Sequence, residues 1–376
     1  MKVAIVVDWL DVLGGAERVI AEMLDIYPQA DLFATADFLD DRTMLGGRPV
    51  ATSFVQNLPF ARRFFRHYLP LMPLAVEQWD FSGYALVLSS SHAVAKGIIT
   101  SPDQIHVSYV HSPMRYAWDQ QGQYLSTGLH HWPARWLLHR LRLWDQVSAH
   151  RPDVLIANSN FVARRIAKCW NTKAVVVYPP VHTQGLSLSR RSEDFYLTVT
   201  RLTPYKRVEL MVDCFAALPE RRLVIIGDGP ECRRLKRRAT ANITFLGRQP
   251  DSVVHDHLQR CRAFLITAIE DFGIAPLEAQ ACGKPVIALD RGGAAETLRP
   301  ENGMAPTALF FTDQTVDSLR GAIMRFESGP PIRPEDCRAN AERYAPAHFR
   351  SRLGAVIQQA LEGASHQRPP SWDVRN

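Results

Sequence analysis

The chain opens on Val3-Ala4-Ile5-Val6-Val7, a β-branched run without alternation, which is the pattern of a strand covered on both faces. Gly14-Gly15 follow, and Val19, Ile20, Met23, Leu24 and Tyr27 then recur at helical spacing. Strand, glycine turn and helix are predicted in that order. A second start of the same kind lies at Phe195–Thr200, runs through Arg201–Arg207 into a helical stretch ending near Leu218-Pro219, and is followed by a strand at Leu223–Ile226. Short apolar runs at 86–88, 154–156, 175–177, 264–266 and 285–287 fit the same alternation. The pattern predicts an α/β protein with two doubly wound parallel units.

A chain of 376 residues is longer than one core usually serves, which agrees with two units. Residues 179–187 and the following Ser189-Arg190-Arg191 are polar, turn-rich and without period, and they put the boundary near residue 182. The end of the chain, from about Pro369, is polar and expected to fray.

Composition narrows the class further. With 46% hydrophobic and 22% charged residues the chain is an ordinary globular one, not a disordered or collagen-like one. No apolar run approaches the roughly 18 residues of a spanning helix, and the first eight residues reach a charge before a signal-peptide core forms, so a cytoplasmic chain is expected. Six cysteines lie far apart without C-x-x-C pairs, which predicts reduced, mostly buried thiols and no metal site. The net charge of +6 suits an anionic partner. The basic residues are scattered and no aromatic stripe interleaves with them, which speaks against nucleic acid.

Several segments could carry chemistry. Gly14-Gly15-Ala16-Glu17, between strand and helix, is either a phosphate site at a helix N-terminus or a tight turn in which Glu17 complements the helix dipole. Arg201 and Lys206 leave the first strand of the second half together, as a diphosphate clamp or as solvated surface cations. Gly227-Asp228-Gly229-Pro230 reads as a turn into the next helix rather than a site. In Thr267–Ala279 two glutamates, Glu270 and Glu278, stand eight positions apart. Pro276 suits the first position of a helix, which leaves the amides of Phe272, Gly273 and Ile274 outside it, puts Glu278 in its first turn and leaves Glu270 on the loop. Amides for phosphate or sugar oxygens beside carboxylates for hydroxyls suit a nucleotide-sugar, although Glu278 alone is equally a dipole-complementing residue. The Tyr109–Asp119 segment puts His111, Arg115 and aromatics on a loop after a strand. In 132–146 Arg135, His139 and Arg142 share one helical face, with Leu137, Leu141 and Trp144 opposite, and 61–69 adds basic and aromatic residues. This is either a membrane-contact surface or a helix packed on its own domain.

Taken in this order, the Gly14–Glu17 turn, the His111 segment, Arg201 with Lys206, and Glu270 with Glu278 resemble the retaining GT-B glycosyltransferases of family 4. More narrowly, residues 110–119 and 270–279 resemble bacterial GDP-mannose-dependent mannosyltransferases of O-antigen and exopolysaccharide synthesis. The resemblance implies two Rossmann-like domains facing across a cleft. Residues 1–182 would bind the acceptor, 183–345 the nucleotide-sugar, a helix over 346–363 would cross back to the first domain, and 364–376 would be tail. It implies catalytic roles for His111, Arg201, Lys206 and Glu270. It also implies that Gly14, Gly15, Arg201, Lys206, Glu270, Phe272, Gly273, Ile274 and Glu278 bind the nucleotide-sugar. Family members usually work without metal or cofactor, and this sequence has no D-x-D motif. The implied partners are a nucleotide-diphosphate sugar and a polyprenyl-diphosphate-linked saccharide, met by peripheral contact with an anionic inner membrane, and no nucleic acid. The alternatives are a UDP-sugar-dependent enzyme of the same fold or a non-catalytic nucleotide-sugar-binding subunit. An NAD-dependent oxidoreductase is disfavoured by the missing G-x-G-x-x-G.

Overall fold

A computed structural model describes residues 1–124 and 132–367. The chain forms two compact units, residues 1–180 with 347–376 and residues 181–346. The end of the chain from residue 368, predicted to fray, lies outside the described residues.

The first unit is built on β1 (Val3–Val7), β2 (Asp31–Ala34), β3 (Val50–Thr52), β4 (Leu86–Ser91), β5 (Ile105–Val110), β6 (Val154–Ala157) and β7 (Val175–Val176). Among the described residues these form one parallel sheet in the order β3-β2-β1-β4-β5-β6-β7. Every residue of β1, β4 and β5 is buried, as strands covered on both faces must be. The helix Gly15–Ile26 turns Val19, Ile20, Met23 and Leu24 into that core, as their spacing requires. The helix Asn160–Trp170 begins at Ser159, whose hydroxyl accepts the Val162 amide at 3.0 Å, and ends at Asn171 in the left-handed region. The C-terminal helix Pro346–Gln367 adds Phe349, Leu353, Val356 and Ile357 to the first unit's core, with the Phe349 ring 5.7 Å from Tyr109.

The second unit repeats the topology with β8 (Tyr196–Val199), β9 (Leu223–Ile226), β10 (Ile243–Gly247), β11 (Ala263–Ile266), β12 (Val286–Leu289) and β13 (Ala308–Phe311). Their order among the described residues is β10-β9-β8-β11-β12-β13, again parallel. β2, β3, β10 and β13 are absent from the sequence prediction. Three of them, β3, β10 and β13, are edge strands. All six cysteines are free thiols, and four of them are buried.

The predicted amphipathic segment is the helix Trp132–Ser148, but its faces differ from the expected ones. Leu138, Leu141 and Trp144 pack inward, and Arg142 turns in with them to donate to the carbonyl of Ala117 (2.7 Å) and to Gln121 (2.8 Å). A guanidinium on a long stem reaches a buried carbonyl that spacing alone cannot reveal. Asp145 of the same helix is fully buried and forms an ion pair with buried Lys96 at 2.6 Å, and it also accepts the indole N–H groups of Trp118 and Trp170, both at 2.7 Å.

Candidate active site

In a doubly wound sheet the strand order reverses at one point, and the loops leaving the carboxyl ends there splay apart to make a crevice. In the second unit that point lies between β8 and β11. The loop after β8 carries Arg201 and a 3-10 turn, Pro204–Lys206, and the loop after β11 carries Glu270. The Thr267 hydroxyl fastens the two loops together by donating to the carbonyls of Lys206 (3.2 Å) and Arg207 (3.0 Å). Above this clasp the Lys206 ammonium forms a hydrogen-bonded ion pair with the Glu270 carboxylate, each side chain 16% exposed. Arg201 is exposed on the same loop, and among the described residues its guanidinium has no hydrogen-bond or ion-pair partner.

The loop after β12 supports Glu270 from behind. Gly293 donates its amide to the Glu270 carbonyl at 2.7 Å, and a Cβ on Gly293 would lie 2.4 Å from Phe272 Cα. Neither Gly292 nor Gly293 was singled out in the sequence, because the need for a bare backbone arises from a segment twenty residues away. Gly227 and Gly229 serve a similar end, since a Cβ at either would meet the carbonyl of Thr200 at 1.9 Å or of Leu202 at 2.4 Å.

The following helix corrects the sequence reading. It spans Ile274–Ala281 and starts from Gly273 at φ +94°, so Pro276 is its third residue and Glu278 stands in its second turn, not its first. Proline is tolerated there because the amides of the first turn have no partner within a helix. The Phe272 ring is buried and packs edge-on to Tyr344 at 5.4 Å, so its side chain belongs to the core.

In the first unit the reversal lies between β1 and β4, and the chain places Asp8 after β1, His92 after β4 and His111 after β5. Asp8 is buried and its carboxylate is saturated. Oδ1 accepts the amides of Val94 and Ala95, both at 2.6 Å; Oδ2 accepts those of His92 (2.6 Å) and Ala93 (3.0 Å) and faces His92 Nδ1 at 2.9 Å. Burial opposes ionisation of Asp8, but the His92 imidazole and these amides outweigh it and hold the carboxyl well below its usual range. Burial likewise opposes charge on His92, and Asp8 outweighs it, raising the imidazole above its ordinary value.

His111 is half-buried. Its Nε2 lies 2.8 Å from the Ser90 hydroxyl, and its carbonyl accepts the Asn158 amide at 2.9 Å. Burial, reinforced by the neighbouring His92, pushes its pKa down to about 3, so it is a neutral ring at physiological pH. Gly14 is the N-cap of its helix, and it donates its amide to Glu17 at 2.9 Å. Glu17 is buried, which raises its pKa. The Glu17 carboxylate thus closes the Gly14-Gly15 turn back on itself. Ser90 and His92 were not singled out.

Two parallel sheets of Rossmann type, each with charged side chains at its point of reversal, define the GT-B class of glycosyltransferase fold. The comparisons agree. The family described as Glycosyltransferase Family 4 matches residues 13–184, and that described as Glycosyl transferases group 1 matches residues 187–344. With the two matches running nearly end to end, the chain belongs to the glycosyltransferases of this two-domain class.

Among curated proteins it is similar to a GDP-mannose-dependent monoacylated alpha-(1-6)-phosphatidylinositol monomannoside mannosyltransferase of Corynebacterium glutamicum, 31% identical over 40% of this chain and 48% of that protein. It is also similar to the alpha-1,3/1,6-mannosyltransferase ALG2 of Saccharomyces cerevisiae, 26% identical over 51% and 52% of the two chains. The chain spans about half the length of the curated relatives it matches. Among solved structures, sucrose-phosphate synthase of Thermosynechococcus elongatus shares the fold with a TM-score of 0.71 at 15% identity, covering 96% of this chain and 100% of that one. Anabaena HepE, solved with UDP and glucose, gives a TM-score of 0.69 at 18% identity, over 95% and 99% of the two chains.

Proposed function

We propose that this chain transfers a hexose, mannose from GDP-mannose, with retention, to a polyprenyl-diphosphate-linked saccharide in cell-surface polysaccharide synthesis. The observation that carries the reading is the Lys206–Glu270 pair at the second sheet's point of reversal, beside the N-terminus of the helix Ile274–Ala281. The mannosyltransferase names of the relatives favour mannose as the sugar and GDP as its carrier in the first case.

The chemistry follows from charge. As the bond from the anomeric carbon to phosphate breaks, the diphosphate gains negative charge, and the Lys206 ammonium and Arg201 guanidinium stabilise that charge as it appears. Glu270 holds Lys206 in place and accepts hydrogen bonds from sugar hydroxyls, with the amides of Phe272, Gly273 and Ile274 facing sugar or phosphate oxygens. Glu278 receives the ribose hydroxyls. The acceptor oxygen forms the new bond to the same face of the anomeric carbon, and its proton passes to the departing phosphate oxygen. His111, neutral at working pH, hydrogen-bonds a sugar hydroxyl without adding charge. Gly14 and Gly15 close the turn at the edge of the acceptor-binding unit.

The test is transfer of labelled sugar from GDP-mannose or UDP-glucose to a lipid-linked acceptor mixture, run beside thermal shifts with GDP, UDP and ADP. Transfer from GDP-mannose with stabilisation by GDP alone supports the reading. Transfer from UDP-glucose moves the donor to the UDP alternative, and stabilisation without any transfer favours a non-catalytic binding subunit.

A further inference from the structure

Arg207 is held at φ +53° and ψ 34°, in the left-handed region. Among the described residues four that are not glycine take a positive φ: Phe60, Asn171, Arg207 and Ala305. Asn171 closes a helix, where asparagine adopts this conformation readily. Arg207 lies instead at the crevice of the second sheet, directly after Lys206, with its side chain at the surface and paired with Glu209 at 3.3 Å. Arginine has no short polar side chain to hydrogen-bond back onto its own turn, so the conformation must be held by the surroundings.

The holding group comes from the neighbouring loop. Thr267 directly follows β11 and is fully buried. Its one hydroxyl proton is shared between the carbonyls of Lys206 (3.2 Å) and Arg207 (3.0 Å), which belong to the two peptide groups flanking the strained residue. Fixing both peptide planes fixes the φ and ψ between them. Thr267 is braced in turn, since the side-chain amide of Gln314, on the loop after β13, donates to its carbonyl at 2.8 Å. On the other side of Lys206 the 3-10 turn is closed by the Lys206 amide on the Thr203 carbonyl (3.0 Å) and the Arg207 amide on the Pro204 carbonyl (3.1 Å).

The consequence falls on Lys206. Its ammonium is a point charge on a flexible stem, so its direction is set by the backbone it leaves from and by the Glu270 carboxylate it meets. Glu270 stands three positions beyond Thr267 on the same loop. One hydroxyl thus fixes the origin of the cation and ties it to the loop that carries its partner.

We infer that Thr267 is a positioning residue: it holds Arg207 in its left-handed conformation and so aims Lys206 at the phosphate oxygen that departs in the transfer. This deepens the functional reading above and rests on it for the reacting group. Thr267 is buried and acts through Lys206.

The test is a double-mutant cycle. Thr267→Val keeps the shape and removes the hydroxyl, and turnover is expected to fall about tenfold or more while KM and GDP affinity stay within about threefold, because the misplaced charge matters most in the transition state. Thr267→Ser restores the hydroxyl and should restore turnover. In a Lys206→Ala background Thr267→Val should change turnover by less than about twofold, since no ammonium is left to aim. An equal loss in both backgrounds, a serine variant as poor as the valine one, or a loss confined to GDP affinity overturns the inference. Should the valine variant not fold, Thr267→Cys, with a weaker donor, takes its place with a smaller fall of the same kind. A second readout needs no transfer: limited acylation with a water-soluble succinimidyl ester, read by mass spectrometry. Lys206, 16% exposed, should be acylated several-fold faster in Thr267→Val while the exposed Lys168 and Lys236 react as before. An unchanged Lys206 rate overturns the inference. Absence of transfer by the wild type from every donor, with the Lys206 rate raised in the variant, overturns the glycosyltransferase reading and leaves the clasp standing.

Discussion

His92 Nδ1 lies 2.9 Å from Asp8 Oδ2, joining residues 84 positions apart at the point where the first sheet reverses direction. Because Asp8 also accepts four amides of the turn that carries His92, its lone pairs are spent within the protein. Asp8 therefore positions, and His92 is the group presented. Asp8→Asn replaces an acceptor oxygen by a donor facing amides, and the expected cost is about 2–4 kcal/mol of stability, measured by urea denaturation at pH 7. A cost under 1 kcal/mol would mean that the turn holds without the charge.

The two histidines at this edge are expected to respond to pH in opposite senses. The folded-state pKa of His92 is raised, so its stabilisation is complete below about pH 6.5 and is lost as pH rises through the raised value. That of His111 is lowered to about 3, so its contribution is complete above about pH 6.5 and is lost as pH falls towards 3. His92→Gln should cost more at pH 6 than at pH 9, and His111→Gln more at pH 8 than at pH 5. Parallel pH dependence in the two variants would refute the assigned charge states.

Lys206→Ala removes a donor placed where charge develops, and turnover should fall by about 10²–10³. Glu270→Gln should impair turnover while GDP binding is largely kept, and Glu278→Ala should weaken GDP binding itself. Calorimetric titration of each variant with GDP, set against its turnover, separates these roles. The reverse division between the two glutamates would reassign them.

Gly227→Ala would place a Cβ 1.9 Å from the Thr200 carbonyl at φ +132°, whereas Gly185→Ala, at φ +83°, meets nothing within 4 Å. The second substitution carries conformational strain alone, about 1 kcal/mol, and the first adds a backbone clash for a total of about 3 kcal/mol or more. Equal shifts in melting temperature would show that the loop after β9 is free to move away from β8.

Breaking the buried Lys96–Asp145 pair with Lys96→Met should cost about 3–5 kcal/mol, since it leaves a buried carboxylate with only two indole donors. Adding Asp145→Asn should recover part of that loss by removing the stranded charge. A double variant no more stable than the single one would show that the packing around Trp118 and Trp170, and not the charge, sets the cost.

What the sequence determined by itself was whatever repeats locally. Strands β1 and β8, the glycine turn and helix after β1, and the cations after β8 could be read because a buried strand and an amphipathic helix write their periods into adjacent residues. Lys206 and Glu270 were each legible as candidates. That they meet was decided by the sheet order, which sets β8 beside β11 although 64 residues separate the two side chains. Tertiary structure also decided that Asp8 reaches the turn after β4, that Gly292 and Gly293 must be bare to admit the Glu270–Phe272 backbone, and that Gly273 starts its helix ahead of Pro276. It turned Arg142 inward and left Trp132 and Trp136 outside. Spacing along a helix tells which residues share a face, but which face is buried depends on the neighbour it packs against, and that neighbour is brought there by the fold.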